Sequence, residues 1–102
     1  MIDKVFDALG NVQRRRLLLA LLERNPQDDT PIAPEDVTYE DEELELILVQ
    51  LHHVHLPKLE EYGFINWNPE MGEVTKGPKF EDIRPLLELL RDHADELPED
   101  WL

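Results

Sequence analysis

Three imidazoles stand close together at His52, His53 and His55. Imidazole can ligate a metal, move a proton or meet a nucleic acid. Residues one and three positions apart share part of a helix face, but a metal would need further convergent ligands. His55 also falls on the apolar stripe of its segment, where packing competes with ligation. We therefore expect no metal at this cluster. Gln50, His52, His53 and Lys58 are polar groups on one stretch that can meet base edges or phosphates, the amide of Gln being able to pair with adenine. The competing reading is a solvated helix face. Lys76 and Lys79 flank the end of a strand pattern and suit a phosphate contact. Arg14, Arg15 and Arg16 form the densest cluster of cations. They can lie against a nucleic-acid backbone or pair with the acidic stretch from Glu35 to Glu45.

That acidic stretch holds Glu35, Asp36, Glu40, Asp41, Glu42, Glu43 and Glu45. It has no partnered nucleophile and no glycine loop for phosphate, so it reads as a solvated surface and as the acidic first turn of a helix. No catalysis and no cofactor are expected.

The elements that would position these residues follow from periodicity. Ile2, Val5, Phe6 and Leu9 recur at helical spacing, and Gly10-Asn11 supplies a stop and a new cap. A second helix runs from Val12 through Leu17, Leu18, Ala20, Leu21 and Leu22 towards Asn25-Pro26. Gln27 to Pro34 reads as a loop, and Pro34 to Val37 as one helical turn. The longest periodic segment is Asp41 to Tyr62, with Leu44, Leu48, Leu51, His55, Leu59 and Tyr62 on one face and Gly63 as its stop. Pro57 inside it predicts a kink or a division into two helices. The period then changes to two. Phe64, Asn66 and Asn68 alternate with Ile65 and Trp67, Pro69 to Gly72 turns the chain, and Glu73 to Lys76 returns as a partner strand. After Pro78, the residues Ile83, Leu86, Leu87, Leu90, Ala94 and Leu97 predict a last amphipathic helix over 81–97, with Pro85 in its first turn. The tail from Pro98 frays unless Trp101 docks.

A chain of 102 residues supports one core. No run approaches the roughly 18 apolar residues of a membrane span, and Met1-Ile2-Asp3-Lys4 does not open a signal sequence, so a cytoplasmic protein is expected. The absence of cysteine excludes disulfides and thiol nucleophiles. Charge is the most unusual property: 24 acidic against 10 basic residues, a net of −14. In ordinary salt that balance opposes nucleic-acid binding, which draws on Lys and Arg. Near molar salt the Debye length falls to about 3 Å, so distant carboxylates no longer repel a phosphate. The abundance of acids beside so few lysines resembles proteins of halophilic archaea.

The order of helices followed by a hairpin and a helix predicts a mainly α fold with a small β-hairpin, of winged helix-turn-helix type. The stretch Leu51-His52-His53-Val54-His55-Leu56-Pro57-Lys58-Leu59-Glu60-Glu61-Tyr62-Gly63-Phe64-Ile65 resembles the recognition-helix-to-wing segment of ArsR-like winged-helix regulators. His55-Leu56, Leu59, Gly63 and Phe64-Ile65 carry the likeness. Leu9-Gly10-Asn11 followed by Arg14 to Leu18 is similar to the N-terminal pattern of that family, and the proline-containing form looks closest to a haloarchaeal branch. The family's short helix before the recognition helix is poorly represented, since Pro34 to Glu43 is acidic and short. Asp92, His93 and Glu96 faintly resemble the dimer-interface metal site of some ArsR-like sensors, without the second histidine.

The resemblance implies a homodimeric, sequence-specific regulator of transcription that binds double-stranded DNA. His52 to Lys58 would enter the major groove, and Lys76 would meet phosphate. It also implies a two-fold interface built from the terminal helices, with Ile2, Val5, Phe6, Ile83, Leu86, Leu87, Leu90 and Ala94 as its apolar residues; burial within the monomer is the alternative for these. An acidic winged-helix adaptor that binds a protein and no DNA is the competing function.

Overall fold

The computed structural model describes residues 2–23, 33 and 44–102. The loop expected after Asn25-Pro26, the turn at Pro34 to Val37 and most of the acidic stretch lie outside the described residues. The elements are α1 (Ile2–Ala8), α2 (Val12–Leu22), α3 (Leu44–Gln50), a π-helical turn (Leu51–His55), α4 (Leu56–Glu61), strands β1 (Ile65–Asn68) and β2 (Glu73–Lys76), and α5 (Phe80–Asp92). Short 3-10 turns follow at Ala94–Glu96 and Glu99–Trp101. The protein is thus mainly helical with one small antiparallel hairpin, an arrangement compatible with a winged helix.

Local chemistry accounts for the boundaries. Asn11 caps α2: its side-chain oxygen accepts from the backbone N–H of Gln13 at 2.8 Å and of Arg14 at 3.3 Å. After α4, Gly63 takes a positive φ of 85°. Its N–H donates to the Glu60 carbonyl and that of Phe64 to the Leu59 carbonyl, which closes the last turn of α4.

Pro57 produces neither a break nor a separate pair of helices. The helix widens instead, and the Leu56 N–H donates to the Leu51 carbonyl, one residue further back than in an α-helix. A proline ring collides with the carbonyl four residues earlier, here that of His53, and cannot donate to it. The wide turn relieves that collision without ending the helix.

β1 and β2 pair with Trp67 opposite Val74 and Ile65 opposite Lys76. Ile65, Val74 and the preceding Phe64 are fully buried, so the inner face of the hairpin joins the core made by Leu17, Leu18, Leu51, Leu59, Ile83 and Leu87. A pair of strands is marginal alone and draws its stability from this packing. Gly77 lies so close to the start of β1 that a Cβ there would meet the Gly63 carbonyl oxygen and approach the Ile65 nitrogen to 2.6 Å.

The last helix differs from expectation. It begins at Phe80 and ends at Asp92, which leaves Pro85 in its second turn and Ala94 in a 3-10 turn. The tail is docked: Trp101 and Leu102 pack against the core, and the Trp101 carbonyl accepts from Arg15 Nε at 2.6 Å. No helix among the described residues is long and apolar enough to cross a membrane.

Candidate nucleic-acid interface

α3, the π turn and α4 form one continuous rod whose inner side is Ile47, Leu51, His55, Leu56 and Leu59. Its outer side carries Leu46, Val49, Gln50, His52, His53, Val54 and Pro57, with the exposed carboxylates of Glu45, Glu60 and Glu61 at the two ends of the rod. Between the buried Leu51 and His55, the residues His52, His53 and Val54 are exposed in succession. Leu46, Val49 and Val54 are 52%, 54% and 50% exposed, a surface for apolar groups that carries no carboxylate from residue 46 to residue 58.

The hairpin is fastened to this rod. The His52 ring stacks on Trp67 of β1 with centroids 5.8 Å apart, and the Trp67 backbone N–H donates to a Glu60 carboxylate oxygen at 2.9 Å. Helix and hairpin therefore present one surface. Lys76 Nζ lies 5.8 Å from the centre of the Phe80 ring, and Lys79 is exposed beside the hairpin's end, its side chain passing Gly63.

The structure separates the predicted cations. Arg14, expected at a phosphate, is only 8% exposed and is removed from any such role. Its guanidinium donates to the carbonyls of Ala8 at 3.1 Å and Asp7 at 2.7 Å, and Nη1 lies 3.0 Å from His55 Nδ1. Since arginine only donates, Nδ1 must accept, and the His55 proton resides on Nε2. Burial, followed by the nearby charges of Arg14 and Lys58, pushes the His55 pKa down from its ordinary value. Arg15 is half-buried and donates to the carbonyls of Leu9 and Trp101. Arg16 lines an apolar groove of about 390 Å3 with Leu19, Ala20, Arg91 and Trp101. The three arginines thus diverge from the start of α2, and none joins the lysines of the hairpin.

Lys58 is half-exposed and ion-paired, its Nζ 3.0 Å from Asp7 Oδ2, which also accepts from the Tyr62 hydroxyl at 2.6 Å. The Tyr62 bond and then the Lys58 bond hold the Asp7 pKa below the ordinary carboxylate value, while the same contact raises that of Tyr62. Sequence patterning gave no signal for Asp7, since its partners lie far along the chain. The exposed apolar residues were accessible to it: Leu46, Val49 and Val54 all fall off the stripe that runs from Leu44 to Tyr62.

Among the described residues, no group of three or more metal-ligating side chains could hold an ion. The predicted interface between copies is also revised. Val5, Ile83 and Leu87 are buried within the monomer and cannot meet a partner. Ile2 and Phe6 are more than half exposed, as is Leu89, a position the periodicity did not single out. Leu86 and Leu90 line a second groove, of about 300 Å3, together with Phe6 and Trp101.

A helix-rich domain with a hairpin fastened to its longest helix is the class these features define. The chain belongs to the family described as Domain of unknown function (DUF7344), which it matches over residues 6–75. The matched part runs from α1 into β2 and so includes the whole rod, while α5 lies beyond it. No curated protein and no solved structure matches the chain.

Proposed function

We propose that this protein is a non-enzymatic, sequence-specific DNA-binding regulator of transcription, acting as a homodimer in a high-salt cytoplasm and related to ArsR-like winged helices. The rod from α3 to α4 enters the major groove, and Lys76 and Lys79 at the hairpin meet phosphate. The observation that carries this reading is the exposed outer face of residues 46–58, free of carboxylates in a chain with 24 of them. A polyanion can approach that face, because at molar salt carboxylates more than about 3 Å away are screened. Gln50, His52 and His53 supply donors and acceptors there. The exposed Ile2, Phe6 and Leu89, together with the groove lined by Phe6, Leu86 and Leu90, supply the apolar surface for a two-fold partner.

Fluorescence polarisation with genomic duplex fragments at molar KCl tests the reading. Saturable binding that weakens on Gln50→Ala and on Lys76→Ala is expected, and an absence of binding at every salt concentration overturns it. One observation favours a second reading, an adaptor for a protein partner: Leu46, Val49 and Val54 make the same face apolar. That reading expects a stable protein partner from high-salt lysate and no DNA footprint.

A further inference from the structure

The outer face of the rod has an unusual set of functional groups for a major-groove reader. Guanine is usually read by Arg or Lys at its O6 and N7 acceptors, and cytosine by a carboxylate at its amino group. Among the described residues of this face there is no arginine and no carboxylate from residue 46 to residue 58. Its lysine, Lys58, is held 3.0 Å from Asp7. What the face does offer is one amide, Gln50, bracketed by the exposed isopropyl groups of Val49 and Val54. Leu46, Val49 and Gln50 are neighbours at helical spacing on α3, and Gln50 and Val54 line one pocket with Asn11, so these residues form one patch with His53 exposed beside it. Thymine alone among the four bases presents a methyl group in the major groove, and adenine presents the donor and acceptor that match a glutamine amide. The ring of His53 suits the N7 acceptor that both purines share and does not discriminate between them. Valine has a stiff χ1, so little side-chain freedom is lost when it covers a methyl group.

We propose that this patch reads A·T-rich major-groove sequence, with Gln50 pairing to an adenine and Val49 and Val54 covering thymine methyl groups. This specificity rests on the DNA-binding reading above. The test is selection of a random-sequence duplex pool on the full chain at molar KCl, followed by titration of the recovered duplex with individual thymines replaced by deoxyuridine. Deoxyuridine lacks only the 5-methyl group. We expect the selected sites to carry adenine and thymine at the contacted positions and each critical replacement to weaken binding about fourfold, the value of one buried methyl group. In Val54→Ala the thymine-over-deoxyuridine preference at one position disappears while the adenine preference remains; Gln50→Ala does the reverse. Both residues are exposed, and unchanged circular dichroism establishes that the variants fold. Selected sites rich in guanine and cytosine, or indifference to deoxyuridine, would overturn the inference and leave DNA binding intact. Retention of no duplex overturns both together.

Discussion

Arg14 and His55 illustrate how a residue type acquires a role from its surroundings. A guanidinium in a core is costly unless its donors are satisfied, and here carbonyls from the end of α1 and an imidazole from the π turn accept from it. Arg14 thereby ties α1, α2 and the rod together. Arg14→Ala strands those acceptors and is expected to cost about 3 kcal/mol in chemical unfolding at fixed KCl. Arg14→Lys restores little of it, because an ammonium cannot span the same acceptors. The titration of His55 has a definite sign. Its folded pKa lies below the ordinary 6.5, so the unfolded chain binds the extra proton first as the medium is acidified. The stability from neutral His55 is complete above pH 6.5 and is lost as the pH falls through the lower folded value. Unfolding free energies measured along this acid limb should fall more steeply for the native protein than for His55→Asn. Equal slopes would show that the buried imidazole does not titrate with unfolding.

At the scale of elements, the rod and the hairpin act as one unit. Pro57 was legible as a disturbance of the helix, but its outcome was not. A kink, a break and a wide turn all relieve the same clash, and neighbouring packing selects among them. With Leu51, His55, Leu56 and Leu59 all buried, widening keeps both halves of the rod on the core. Pro57→Ala restores a donor to the His53 carbonyl, and we expect the turn to tighten to α geometry, seen as a protected amide at position 57 in hydrogen exchange. The hairpin's own weak point is Gly77. A methyl group there meets the backbone of Gly63 and Ile65, which cannot swing aside as a side chain can. Gly77→Ala should therefore cost about 2–3 kcal/mol in thermal or urea unfolding.

Across the whole molecule, the net charge of −14 opposes compaction, and added salt weakens that repulsion. We expect the unfolding midpoint to rise steadily from low to molar KCl; a flat response would argue against a high-salt setting. The exposed pair Ile2 and Phe6, with Leu89, is where a second copy is expected. Phe6→Glu places a charge in that surface and should weaken self-association by about tenfold or more in light scattering, with little effect on monomer stability. A native chain that stays monomeric at high concentration would remove the dimer from the proposed function.

Local chemistry was readable from the sequence alone. The Asn11 cap, the Gly63 stop, the change of period after it and the turn before Glu73 each depend on residues a few positions apart, and the helices and hairpin follow from them. Even the inward placement of His55 came from its position on an apolar stripe. The tertiary structure decided which face of each element met which neighbour. Arg14 and His55 are 41 positions apart, and Asp7 and Tyr62 are 55 apart. No local pattern relates such residues. The same holds for Val5, Ile83 and Leu87, apolar by type and periodicity like Phe6 and Leu86, yet enclosed because the packing of α5 and α1 on the core left them no outlet. Helical spacing marks an apolar face; only the crossing of elements determines whether the monomer or a partner covers it.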